Sequence, residues 1–170
     1  MNKEKLRQLP SETLASLLEV CLNDLRVCDG WWYLGVENRY GTEVTTAIDQ
    51  QVWEKLAKAE AEALKKSLNL NVGMEGLVKA LELSPSWIIM GDYEVEQLSH
   101  DMGILRVVSC SSQQARLRMG RELFPCRAVG EAMLIAFAQA IDQRIRTSCI
   151  FSPPERNYSP WCEWQFHLEQ

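Results

Sequence analysis

Nowhere does this 170-residue sequence hold an apolar run of the roughly 18 to 20 residues that crossing a bilayer requires. The opening Met1-Asn2-Lys3-Glu4-Lys5 leads into an amphipathic pattern rather than a signal-peptide core, so a soluble, cytoplasmic protein is expected. Histidine is scarce. Of the two present, His100 falls among turn residues and His167 on the polar parity of the last predicted strand, which makes both weak candidates for a site. Phosphate-cradling and dinucleotide loops, a hydrolase nucleophile elbow and a zinc-protease helix motif are all missing. Six cysteines are present, yet none form the close C-x-x-C pairs of zinc ribbons. A disulfide framework suits short secreted chains and is not expected in a reducing compartment.

The net charge of −5 argues against nonspecific binding to nucleic acid. Sign is unevenly spread. Between Ile104 and Arg156 stand eight Arg, no Lys and four acids, so the rest of the chain carries −9 and every Lys. Arginines of this kind suit bidentate contacts with carboxylates or phosphates, or pairing with the acidic N-terminal helices. The length fits one domain, residues 1–170, with a helical half (1–85) and a mixed half (86–170).

In the helical half, Ser11 is placed to cap a helix whose Leu14, Leu17, Leu18, Cys21, Leu22 and Leu25 make a stripe expected to be buried. Asp29-Gly30 begins a second helical stretch that should end at Gly41. Asp49 is expected to cap a longer helix to about Ser67, buried through Val52, Leu56, Ala59 and Ala63. A short helix from Met74 to Leu83 stops at Ser84-Pro85. Trp31, Trp32, Tyr33, Tyr40 and Trp53 crowd this half and are as consistent with packing as with the wall of a ligand pocket. As pocket residues, Trp31, Trp32 and Trp53 are taken forward, with Asp29, Glu37 or Glu43 as polar anchors and Arg116 from the basic segment.

From Trp87 the periodicity changes. Alternation over 93–97 and a β-rich run from Ile104 to Cys110 predict a hairpin, and Ser111-Ser112-Gln113-Gln114 reads as a capping box for a helix to Gly120. A helix from about Arg127 to Ile141 is apolar almost all round, so it should be buried between sheet and N-terminal helices. Strands from Arg144 to Phe151 and from Trp161 to Leu168 follow, the latter turning Cys162, Trp164, Phe166 and Leu168 to the core. The expected fold is α+β: N-terminal helices packed on a small, mainly antiparallel sheet of about four strands, with one buried helix between.

Cys110 would end a strand before a helix N-terminus, where the dipole favours thiolate. Cys126 would open the buried helix, Cys149 lie near the end of a strand and Cys162 near the start of the last. Convergence of all four on one sheet edge would suit a tetrahedral zinc site, an activated thiol, or plain space-filling by a residue type that favours interiors.

The run Cys126-Arg-Ala-Val-Gly130, the apolar helix, Arg146-Thr-Ser-Cys149, a loop and Cys162-Glu-Trp-Gln-Phe166 resembles the C-terminal half of vinyl-4-reductase type sensor domains. It is similar also to L-2-amino-thiazoline-4-carboxylic acid hydrolase-like proteins. Over nearly the whole chain, Asp29-Gly30-Trp31-Trp32-Tyr33 and the Pro153-Pro154 loop before Cys162-Glu163-Trp164 resemble an uncharacterised prokaryotic family. The sensor resemblance implies a small-ligand-binding module with zinc on Cys126, Cys149 and Cys162. Arg146 stands where that family has a glutamate, so Cys110 is the candidate fourth ligand. The expected partner is a small organic molecule, an anion among the candidates, with a homodimer as the expected assembly. The hydrolase resemblance implies a cysteine-dependent enzyme acting on a small C–N or C–S substrate, and a protein–protein adaptor is the third alternative.

Overall fold

A computed structural model describes residues 3–170. A short α1 (Lys3–Arg7) precedes the 58-residue α2 (Ser11–Leu68), followed by α3 (Met74–Glu82) and α4 (Pro85–Ile88). The second half holds β1 (Tyr93–Gln97), β2 (Met102–Val107), α5 (Ser111–Arg118), α6 (Arg127–Ile141), β3 (Ile145–Phe151) and β4 (Cys162–Leu168). The strands form one antiparallel sheet in the order β1-β2-β4-β3. The α+β architecture is as expected. Among the described residues no helix is long and apolar enough to cross a membrane.

Gly41 organises α2. Its φ of 80° and ψ of 166° break the helix, a conformation that glycine adopts without the steric penalty of a Cβ. A straight α-helix would hold residues 29 and 49 about 30 Å apart at 1.5 Å per residue. Instead Asp29 and Asp49 both lie beside Trp53 on one cavity, and the Tyr33 hydroxyl lies 3.4 Å from Thr46 Oγ1. The chain therefore doubles back at Gly41, and α2 is a helical hairpin of 11–40 and 42–68. Gly30, expected to open a new helix, lies inside the first half, and Asp49, expected as a cap, lies inside the second.

The face buried by 42–68 is Trp53, Ala57 and Ala61, flanked by Leu56 and Leu64, while the predicted Val52, Ala59 and Ala63 point outward. A one-residue shift turns a helix by about 100°, and the Trp53 ring fixes the choice by reaching the core. Glu60 accepts hydrogen bonds from Ser84 Oγ and, at 2.6 Å, from Ser86 Oγ, tying this half to α4. Lys65 Nζ donates to Ile141 O at 2.6 Å, closing the end of α6.

The buried helix is placed as predicted. α6 packs against α2 on one side and the sheet on the other, with Val129, Met133, Leu134, Phe137, Ala138 and Ile141 inward. At Gly130 it approaches β4 so closely that an added Cβ would stand 2.5 Å from Trp164 Cζ2. The leucine stripe near the N-terminus is the main departure. Residues 11–28 are exposed throughout except half-buried Leu22, so Leu14, Leu17, Leu18, Cys21 and Leu25 do not form the buried stripe that was expected.

Candidate functional site

The doubling of α2 leaves a cavity of about 160 Å³ between the hairpin, α5, α6 and the starts of β4 and of the segment after β2. The first half of α2 supplies Asp29 and Tyr33, the second half Asp49 and Trp53. Trp87 comes from α4, Gln113 and Arg116 from α5, Cys126 and Gly130 from the α6 entrance, and Cys162 and Trp164 from β4. The lining is largely apolar and aromatic, as small-molecule sites are.

Of the predicted pocket residues, Trp53 and Arg116 line this cavity, whereas Trp31 and Trp32 do not. Trp31 is 68% exposed and Trp32 60%, both on the outer face of the first half of α2. Among the anchors, Asp29 is in place and Glu43 is exposed. Asp49, read as a cap in the sequence, is the anchor that was missed. Only the fold-back at Gly41 puts it beside Asp29.

Glu37 and Arg116 meet each other rather than a ligand. Arg116 Nη1 and Nη2 donate to the two carboxylate oxygens of Glu37 at 3.0 and 2.9 Å, and Arg116 Nε donates to Glu122 O at 2.6 Å. Arg121 Nη1 adds a 2.7 Å contact and Thr42 Oγ1 one of 2.9 Å, across the Gly41 break. Burial pushes the Glu37 carboxyl up, but the hydrogen bonds from Arg116 and Thr42 and the charges of both arginines outweigh it, and the net shift is downward. This is the pairing of the Arg segment with the acidic helical half that composition suggested. It uses the donors an anionic ligand would need.

Asp29 and Asp49 behave oppositely. Loss of water raises each, and the Trp53 hydrogen bond offsets only part of it. Asp49 is raised further by the charge of Asp29, so the two reach about 6 and about 7. No ion pair to either is present among the described residues.

The four cysteines do share a neighbourhood. Beyond the larger effect of burial, Cys126 is raised by proximity to Cys110 and Cys149, and Cys162 by all three. Cys110, Cys126 and Cys162 line the cavity; Cys149 does not. Yet among the described residues no three His, Cys, Asp or Glu side chains are arranged to hold a metal ion. Burial raises every one of the four thiols, Cys126 to about 12. At Cys110 the N–H groups of Gln113 and Ser112 pull the thiol down as the helix start predicts, but desolvation is the larger effect. A cysteine nucleophile needs the opposite shift.

Two features escaped sequence reading. Cys110, not a serine, is the N-cap of α5, and Gln114 Nε2 donates to Ser109 Oγ at 3.2 Å in place of the capping box. Gln113 is 1% exposed and clamps the 124–126 turn, donating to Phe124 O at 2.7 Å and accepting from Phe124 N at 2.9 Å. That clamp sets the entrance of α6. Among the described residues Trp87 Nε1 and Trp164 Nε1 are buried without a hydrogen-bond partner; the Trp164 N–H lies toward the Cys162 thiol and acts against the upward shift that burial gives it.

Among curated proteins none matches the chain. Residues 7–168 match the model of a family of unknown function, and with that match spanning nearly its whole length the chain belongs to DUF6125.

Proposed function

We propose that this protein is a small-molecule-binding module whose ligand occupies the cavity between the α2 hairpin, α5, α6 and β4. The observation that carries the reading is an apolar, aromatic-walled cavity of about 160 Å³ holding buried polar groups without partners. A dry cavity of about 150 Å³ accommodates a benzene-sized ring, so the ligand is of that order. The resemblance to ligand-sensing domains supports binding over catalysis, and so do four thiols raised rather than lowered by their surroundings. Six free cysteines suit a reducing compartment, and the cytoplasm is the proposed setting. The test is titration with benzyl alcohol, read by the emission of Trp53, Trp87 and Trp164. Saturable quenching that Ala115→Phe abolishes is expected, since Ala115 lines the cavity. Quenching that does not saturate, or is unchanged in that variant, would sink the reading.

A second observation favours self-association. Leu14, Leu18, Cys21, Leu25, Cys28 and Trp32 alternate in steps of four and three, the seam of a paired helix, and all are exposed. The exposed stretch 11–28 spans about 27 Å at 1.5 Å per residue, and two such stretches packed lengthwise bury on the order of 1,000 Å², the lower end of a specific interface. The proposed occupant of the seam is the same helix of a second copy. Sedimentation at micromolar concentration should show a dimer that the double variant Leu18→Glu/Leu25→Glu dissociates with helicity of the body retained. A wild-type monomer would refute it.

A further inference from the structure

We propose that the ligand is a small organic cation whose ammonium is held between Asp29 and Asp49, with its body against the surrounding rings. This rests on the cavity reading above and adds the class of ligand to it. The two carboxylates come from opposite arms of the hairpin and converge on the Trp53 indole, so they are held together by the fold rather than by sequence proximity. Neither has a cationic partner among the described residues. The one cation that lines the same cavity, Arg116, has its Nε and both terminal nitrogens engaged by Glu122 O and Glu37.

An acidic pair alone would not define a ligand; its walls do. Tyr33, Trp53, Trp87, Phe124 and Trp164 line the cavity, and aromatic faces attract organic cations through the ring quadrupole. A primary ammonium carries three donors and satisfies two carboxylates at once. A neutral ligand would leave both acids buried without compensation, and an anion would meet their repulsion. At the other end of the requirement, Trp87 is 5% exposed and its buried indole N–H has no partner among the described residues. A hydrogen-bond acceptor on the cation's body answers it. Separately, desolvation pushes the two carboxyls up to about 6 and about 7, a shift that a bound ammonium would reverse.

The experiment compares benzylamine, benzyl alcohol and benzoate at pH 8 by calorimetry, on the wild-type chain and on Asp29→Asn/Asp49→Asn. Benzylamine is expected to bind about tenfold or more tighter than benzyl alcohol, with benzoate weakest. In the double variant that preference should vanish while benzyl alcohol affinity is kept or improved, which also shows that the cavity is intact. If benzyl alcohol binds and benzylamine is no tighter, the cavity stands and the cation assignment is wrong. If none of the three binds, the cavity reading itself fails. An amine preference that survives in the double variant would overturn the role given to the two aspartates.

Discussion

Glu37 and the Asp29–Asp49 pair lie on the same helical hairpin, are all largely shielded from water, and shift in opposite directions. Glu37 is 7% exposed, yet its carboxyl is held below its ordinary range because two guanidinium groups and a threonine hydroxyl surround it. The aspartates have one indole N–H between them and each other's charge, and they rise to about 6 and about 7. Burial is common to both places; the partner decides. One place is a closed ionic lock joining α2 to α5. The other holds two carboxylates with no ion-pair partner among the described residues.

The largest expected effect breaks the lock. Glu37→Gln leaves Arg116, 8% exposed, without its carboxylate, and removing one member of a buried ion pair costs about 3–5 kcal/mol. Urea unfolding at pH 7 should show that loss; a change under about 1 kcal/mol would mean that the arginines escape to solvent and the lock is not closed. The aspartate pair predicts the reverse sign. Asp49→Asn removes a charge that desolvation and Asp29 disfavour and that no ion pair answers among the described residues, so stability at pH 8 should rise by about 1 kcal/mol, and the gain should disappear at pH 4, where the wild-type carboxyl is already protonated. A loss of stability at pH 8 would show that Asp49 has a structural partner.

The pH dependence sharpens the contrast. Folding raises the aspartate pKa values above the ordinary 3.8, so the folded state binds the extra protons. Their stabilising protonation is complete below about pH 4 and is lost as pH rises through about 6 and about 7. Glu37 runs the other way. Its contribution is present above the ordinary 4.5 and is lost as pH falls through its lowered folded value. The smallest effect is on binding: affinity for benzylamine should increase from pH 5 to pH 8, by about tenfold at most. Other groups facing the cavity hold their charge over that range. Tyr33, Cys110, Cys126 and Cys162 are raised and stay neutral, and Arg116 is hydrogen-bonded to Glu37. A flat profile would separate the pair from the ligand.

Much of the fold was legible locally. The α6 boundaries, the alternation that turns Cys162, Trp164 and Phe166 inward, and the break at Gly41 all follow from periodicity and from glycine's conformational range. Part of the cavity lining was legible too, in Asp29, Trp53, Arg116 and three of the cysteines. What misled was reading each helix by itself. A leucine stripe at 14–25 has the pattern of a buried face whether its partner lies in the same chain or outside it. Trp31 and Trp32 have the size of pocket walls, but helical phase turns them outward while Tyr33 turns in.

By itself the sequence determined the element types, the α+β class and the place where α2 must bend, since these depend on side-chain spacing and on one residue without a Cβ. Tertiary structure alone decided which charges are answered. Glu37 and Arg116 are 79 residues apart and Asp29 and Asp49 come from opposite arms of a hairpin, so no spacing rule joins them. Whether a buried carboxylate becomes a lock or a receptor depends on what the fold sets within a few ångströms of it, because electrostatic energy in a poorly hydrated interior falls with distance in space and takes no account of distance along the chain.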